Sequence, residues 1–281
     1  MATQNIAKAW FFQDILLEEY CYAVGSAESL PKHSHEEYQV YIDSGLAREF
    51  YFRGIHYSVP IGSLAILHPG EMHAVRDLED RQTPTILRLM YLPCILVKKV
   101  ASEIVGHVTS LPFWSDVIFD DSQLIQLALK CHFALRSQAS RLEQDTALLS
   151  FLSSLILHDT KNFSSLKPIK REHQAIQRVR DFLQDNYAQN VTITDLSQIA
   201  NLSPYHLNRA FCAEVGIPPH QYQTQIRITH ASRLLTQGIA IAEVASATGF
   251  TDQSHLTRHF KRLMQVTPGR YRQETAKTYK N

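Results

Sequence analysis

No run of apolar residues in this chain is long enough to span a bilayer, although 44% of its 281 residues are hydrophobic. That excludes a helical membrane anchor and leaves ample material for buried cores, at a length that fits two domains. Paired cysteines are also missing. Cys21, Cys94, Cys131 and Cys212 are scattered, without the spacing of a disulfide framework or a metal site, and read as reduced, mostly buried thiols. The first residues, MATQNIAKAW, lack the charged-then-apolar pattern of a secretory signal. A cytoplasmic location is the expectation. Net charge is nearly absent, at +1, but the small value hides an asymmetry. Residues 170–281 carry 14 Lys and Arg against 8 Asp and Glu, a net +6; residues 1–169 carry the other 14 against 19, a net −5. A basic C-terminal part suits a polyanionic partner, and an acidic N-terminal part does not.

What is present is most informative from Val244 to Arg272, VASATGFTDQSHLTRHFKRLMQVTPGRYR. Val244, Ala245 and Thr248 sit at helical spacing. Gly249 follows where a helix end needs a residue that tolerates positive φ. Asp252 can cap a second helix, and Leu256, Phe260 and Leu263 give that helix one apolar stripe. Between them lie Gln253, Ser254, His255, Thr257, Arg258, Lys261 and Arg262, which can bond to base edges or neutralise phosphates. A single helix of this kind is as readily an ordinary solvated one. The pattern occurs twice, however. Leu207, Arg209 and Phe211 repeat as Leu256, Arg258 and Phe260, 49 residues on. Ahead of the first copy, Leu196, Ile199 and Ala200 lead to Asn201, which can hold a left-handed turn. Ser203-Pro204 then opens a helix.

On these residues the last hundred or so positions resemble the DNA-binding domain of the AraC family of transcription regulators. The resemblance rests on Gly249-Phe250, Ser254-His255-Leu256-Thr257-Arg258, Phe260-Lys261-Arg262 and Thr267-Pro268-Gly269-Arg270-Tyr271-Arg272. It implies two helix-turn-helix units joined by one long helix, with double-stranded DNA as the partner. The readers it implies are Tyr205, His206, Asn208 and Arg209 in the first recognition helix and Gln253, Ser254, His255, Thr257 and Arg258 in the second. Arg209 and Arg258 stand out because a guanidinium can take both acceptors of guanine; a phosphate contact or a salt bridge is the alternative for each. The connecting helix opens at Pro218-Pro219 and ends at Gly238, with Tyr222, Ile226, Ala231, Leu234 and Leu235 as its apolar contacts. Its length of roughly 27 Å, at about 1.5 Å per residue, approaches the ~34 Å between successive major-groove faces on one side of B-DNA.

Residues 10 to 92 read as strands. Short runs rich in aromatic and β-branched residues recur at Tyr38 to Ile42, Glu49 to Phe52, Ile55 to Val59, Leu64 to Leu67 and Ile86 to Tyr91, with turn signals between them. Such spacing suggests a small barrel or sandwich. Within it lie Lys32-His33-Ser34-His35-Glu36-Glu37-Tyr38 and His68-Pro69-Gly70-Glu71-Met72-His73. This part, roughly residues 15–90, resembles the cupin-type ligand-binding domain that AraC-family regulators carry. In enzymatic cupins such histidines and a following glutamate bind a metal. On a strand His33, His35 and Glu37 would share one face, and with His73 they are the candidate metal ligands. Yet Gln39 stands where that pattern expects its glutamate. The expectation is therefore no metal, no cofactor and no catalytic residue. His33, His35, Tyr41, Arg48 and His73 are expected to line an effector pocket instead, the alternative for the histidines being hydrogen bonds within the barrel; Arg48 or Arg53 could meet an anionic ligand, with a surface role the alternative for either.

From Cys94 to Lys161 the pattern turns helical. Ile95, Val97, Val100 and Ile104 mark one element, then Leu124, Leu127, Ala128, Cys131 and Leu135, then Leu148, Leu149, Leu152, Leu155 and Ile156. The expected architecture is α+β. A cupin-like β-barrel with trailing helices occupies residues 1–161, a linker 162–172, and an all-α tandem helix-turn-helix domain 173–281. The expected function is sequence-specific regulation of transcription in response to a small-molecule effector. The resemblance implies activation more often than repression, a homodimer, and RNA polymerase as a partner of an activator; no membrane is involved. The alternative is a metal-dependent cupin enzyme with an appended DNA-binding module. The absence of a second acid–base constellation beside the histidines speaks against it.

Overall fold

The computed structural model describes residues 5–43, 45–158 and 172–278. The chain divides into two compact units, Met1–Arg136 with Ser150–Leu166 and Ser137–Leu149 with Lys167–Asn281. The expected linker lies, apart from Glu172, outside the described residues.

The first unit contains β1 (Ile6–Phe12), β2 (Ile15–Tyr22), β3 (Ser29–His33), β4 (Tyr38–Asp43), β5 (Arg48–Phe52), β6 (Ile55–Val59), β7 (Leu64–Leu67), β8 (His73–Asp77), β9 (Thr85–Leu92) and β10 (Ile118–Phe119), with α1 (Cys94–Val105) and α2 (Ser122–Arg136). The strands form two sheets, one in the order β1-β2-β9-β4-β7-β10 and one in the order β3-β8-β5-β6. Of the small barrel or sandwich expected for this cupin-like part, the strands form a two-sheet sandwich. Its inner core joins Tyr41, Leu87 and Leu89 of the larger sheet to Phe50, Phe52 and Val59 of the smaller. Val40, Ile42, Ile66 and Met90, on the opposite face of the larger sheet, are buried as well. Both faces are covered, which is why β7 reads LAIL with all four residues inside. On α1 the buried stripe is Val97, Val100, Ala101 and Ile104. Ile95, expected on that stripe, is exposed, because it sits in the first turn one position off the inward face.

The helix α3 (Arg141–His158) begins in the second unit, which continues with α4 (His173–Asp185), α5 (Ile193–Ala200), α6 (Pro204–Val215), α7 (Pro219–Thr236), α8 (Ile241–Ala247), α9 (Gln253–Met264) and α10 (Pro268–Thr278). Local chemistry sets these boundaries. Thr192 and Asp195 form a capping box at α5. Ser203 accepts from the His206 N–H at the start of α6, and Asp252 from the His255 N–H at the start of α9. Asn201 holds the first turn at φ 55°. Gly249 holds the second at φ 77°, and a Cβ there would lie 2.2 Å from the Ala188 carbonyl oxygen. The connector α7 has 18 residues. Its apolar contacts are narrower than expected, since Ile228, Ala231 and Leu235 are fully buried while Tyr222, Ile226 and Leu234 are only half-buried. Polar side chains complete its inner face. Arg227 donates to the carbonyls of Tyr187 and Gln189 at 2.6 and 2.8 Å, and Gln223 donates to the same two oxygens. Arg227 and Gln223 thus satisfy otherwise orphaned backbone acceptors. The second helix-turn-helix packs Leu256 and Phe260 of α9 against Val244, Ala245 and Phe250. Leu263, expected on that stripe, is 39% exposed.

Candidate nucleic-acid interface and ligand pocket

On α9 the outward residues are Gln253, Ser254 and Arg258, with Thr257 half-buried. Lys261 and Arg262 extend the same exposed, cationic side into the last turn. They fall three and four residues after Arg258, a spacing legible in the sequence, although the implied reader set stopped at Arg258. On α6 His206 is exposed and Arg209 half-buried. Three expected readers turn inward instead of toward the outer face. Tyr205 is 4% exposed, Asn208 9% and His255 8%. Tyr205 and Asn208 lie on the side of α6 that also buries Leu207 and Phe211. His255 lies one turn before the buried His259, and its Nδ1 is 2.8 Å from the Thr251 hydroxyl. The buried stripe of each helix is wider than its leucine and phenylalanine positions suggest. The two outward faces also differ in charge. The α6 face carries Glu214, paired with His173 at 3.0 Å, whereas the α9 face carries cations alone after its cap.

In the sandwich a cavity of about 350 Å³ is lined by Tyr20, Tyr22, Tyr41 and Tyr91, by His33, His73 and Gln39, and by Arg48. Four of the five expected pocket residues line it; His35 stands just behind, its ring 4.9 Å from His73 and 5.5 Å from Tyr91. The arginine charge is already answered. Arg48 Nε donates to Asp77 Oδ1 at 2.7 Å and Arg48 also donates to the Tyr41 hydroxyl. Asp77 Oδ2 in turn accepts from Arg81 at 2.6 Å, and Arg81 reaches Glu28 at 2.8 Å. Arg53 is paired with Glu71 at 2.7 Å and does not line the cavity.

The histidines come together by a route the sequence did not suggest. β3 ends at His33, and residues 34–37 turn before β4, so His33, His35 and Glu37 do not share a strand face. The ring centroids of His33 and His73 are nevertheless 4.2 Å apart. Each ring is held through Nδ1 by a backbone carbonyl two residues away: His33 by Pro31, His35 by Glu37 and His73 by Glu71. That leaves Nε2 of each as the free nitrogen, the usual second-shell arrangement for a metal ligand. Nε2 of His35 and of His73 is buried without a hydrogen-bond partner. Burial, followed by the neighbouring His33 and His35, pushes the His73 pKa down to about 4. No carboxylate completes the set. Gln39 donates to the Tyr91 hydroxyl at 2.9 Å, and among the described residues these histidines do not bring three donor atoms within single-ion reach.

Residues 16–152 match the family described as AraC-like ligand binding domain, and residues 196–274 match a Helix-turn-helix domain family. The uncharacterized HTH-type transcriptional regulator YbfI of Bacillus subtilis (strain 168) is 32% identical over 233 residues, 83% of this chain and 83% of its own. The lactose operon transcription activator of Staphylococcus xylosus is 26% identical over 156 residues, 54% of this chain and 55% of its own. Among solved structures, the C-terminal domain of AraT, a response regulator from Geobacillus stearothermophilus, aligns with 37% of this chain and 88% of its own at 30% identity and a TM-score of 0.35. The chain belongs to the AraC family of transcriptional regulators. It is a DNA-binding regulator with an N-terminal ligand-binding domain.

Proposed function

We propose that the cavity among the tyrosines holds a small, uncharged, hydrogen-bonding effector, and that this effector governs how α6 and α9 are presented to two adjacent major-groove segments. The observation that supports the DNA part is the pair of capped helices with outward polar and cationic residues. His206, Arg209, Gln253, Ser254, Thr257 and Arg258 are the proposed readers, with Lys261 and Arg262 on phosphates. The observation that supports an uncharged effector is the Arg48–Asp77–Arg81–Glu28 network. An anion would have to displace Asp77 from a buried pair, at a cost of several kcal/mol. An uncharged ligand keeps the pair and stacks on the tyrosine faces.

The switch is a shift in population between arrangements with different effector affinity. The working species is a cytoplasmic homodimer that activates transcription through RNA polymerase and carries no catalytic activity. The test is fluorescence anisotropy of the full chain with labelled promoter duplexes, in the presence and absence of candidate effectors. An effector that changes operator affinity in the wild type and loses that effect in Tyr41→Phe or Gln39→Ala supports the reading. Binding of only anionic compounds to the cavity contradicts it. A second reading, metal-dependent catalysis in the sandwich, is favoured by one observation, the unpartnered Nε2 atoms of His35 and His73. Metal retained on purification, with turnover abolished by His35→Ala, would establish that reading.

A further inference from the structure

We propose that Glu143, His255 and His259 form a binding site for a divalent transition-metal ion of the zinc class on the second helix-turn-helix unit. All three residues belong to the second compact unit. One donor atom from each lies within 4.8 Å of the other two. An ion bonded at about 2.0–2.2 Å to each ligand needs donor atoms about 3.4 Å apart, so rotamer adjustments on the order of an ångström close the site. A carboxylate with two imidazoles is a known zinc ligand set, and it leaves a fourth position for water.

The helix supplies the spacing. His255 and His259 are four residues apart on α9, so their rings lie on one face, with centroids 4.7 Å apart. Glu143 comes from the first turn of α3. Two contacts seat that turn on the unit: Asp145 Oδ2 accepts from the Ile193 N–H at 3.3 Å, and the Arg141 N–H donates to Asn190 Oδ1 at 3.4 Å. The Thr251 hydroxyl lies 2.8 Å from His255 Nδ1, and the Thr251 N–H reaches the same nitrogen at 3.4 Å; Nε2 is the ligand atom in the tautomer whose Nδ1–H donates to the hydroxyl. His220, whose buried Nδ1 has no hydrogen-bond partner, adds a further ring close enough to act on His259.

Two cations oppose the ion. Arg262 lies 3.1 Å from His259 Nδ1 and Arg258 lies 3.4 Å from Nε2. Both arginines are exposed and can swing into solvent, and the Glu143 carboxylate supplies the compensating charge. Loading the ion displaces Arg258 from His259 and frees its guanidinium. Metal and DNA then raise each other's affinity. This second step rests on the DNA-reading role of Arg258, whereas the site itself does not.

The test uses full-length protein and Co²⁺ as the probe, read by its visible absorption at pH 7.5, with Zn²⁺ as competitor. The wild type is compared with Glu143→Gln, His255→Gln and the double variant His33→Ala/His35→Ala. The expected result is one tetrahedral Co²⁺ retained in the double variant, with affinity at least about tenfold weaker in Glu143→Gln and His255→Gln. Because Glu143 is only partly buried, its glutamine variant keeps the fold, as a thermal melt will verify. Three results overturn the proposal: no Co²⁺ binding, equal binding by Glu143→Gln and wild type, or binding lost only in the double variant. No DNA enters this assay, so its failure leaves the DNA-reading assignment standing.

Discussion

Gly249 carries two constraints, and the sequence displays one of them. A glycine after a helical run announces a left-handed turn, and φ is indeed 77°. The 2.2 Å approach to the Ala188 carbonyl comes from a segment 61 residues earlier and could not be read locally. Gly249→Ala should therefore cost more than the ~1–2 kcal/mol of a left-handed alanine, about 3 kcal/mol or above in urea unfolding. A loss under about 1 kcal/mol would show that Ala188 yields freely. Arg48 was legible as a pocket residue but not its partner, because Asp77 is brought alongside only by pairing of β5 with β8. Arg48→Met removes one of the two guanidinium partners of buried Asp77, with Arg81 still holding Oδ2 at 2.6 Å, and should destabilise by about 1–3 kcal/mol. The double change Arg48→Met/Asp77→Leu leaves buried Arg81 with Glu28 as its carboxylate partner, so it should lose more than the single change; recovery would mean that the Arg81–Asp77 pair adds nothing to stability. Tyr205, Asn208 and His255 mark the limit of residue-level reading. A polar side chain on a polar-looking helix gives no sign of which way it faces until its neighbours are placed.

Helices and their turns were the most legible elements, because their signals are local. Asn201, Ser203-Pro204 and Asp252 act within a few residues of themselves, as does the left-handed turn at Gly249, and each stands where the pattern put it. Strands were less so. The turn between β3 and β4 breaks the His33–His35–Glu37 face, and β8, with the sequence HAVRD, carries too little apolar alternation to announce itself. Its place is fixed by pairing with β3 and β5. The two recognition helices should contribute unequally. With cations at 258, 261 and 262 and no carboxylate after its cap, α9 should carry more affinity than α6. Arg258→Ala should weaken operator binding by about 1–3 kcal/mol, roughly 5- to 150-fold, and relax preference at one base pair. Lys261→Ala should lower affinity across all sequences and reduce the salt slope by about one. If Arg258→Ala shifts all duplexes equally, the residue is a phosphate contact.

For the whole molecule, the opposite charges of the two ends of the chain and the doubled motif pointed to two domains and to DNA as the partner of one; the expected first domain ran to 161, whereas Ser137–Leu149 falls in the second compact unit. What lay beyond reach was the histidine burial. His68, His73, His132, His220 and His255 are all lowered to about 4, and His259 to about 3, with burial the first cause in each case. The folded state binds these protons less readily than the unfolded chain, whose histidines titrate near 6.5. Stability is therefore full above pH 6.5 and falls as pH drops from about 6.5 toward 4. At pH 5 each such histidine should cost up to about 2 kcal/mol. Thermal melts from pH 7.5 to 5 should show a steep loss, and a flat profile would mean these rings reach water in the folded protein.

The central claim is that α6 and α9 of one chain read DNA together. Its most direct measurement is binding of the full-length chain to a pool of promoter duplexes against random duplexes, across a salt series, for wild type, Arg209→Ala, Arg258→Ala and the double variant. Sequence-selective binding with a steep salt slope is the expected result. Each single variant should lose preference at a different groove segment, and the double variant should fall to the non-specific level. Loss of preference at the same base pair in both single variants, or selectivity untouched by either, would contradict it.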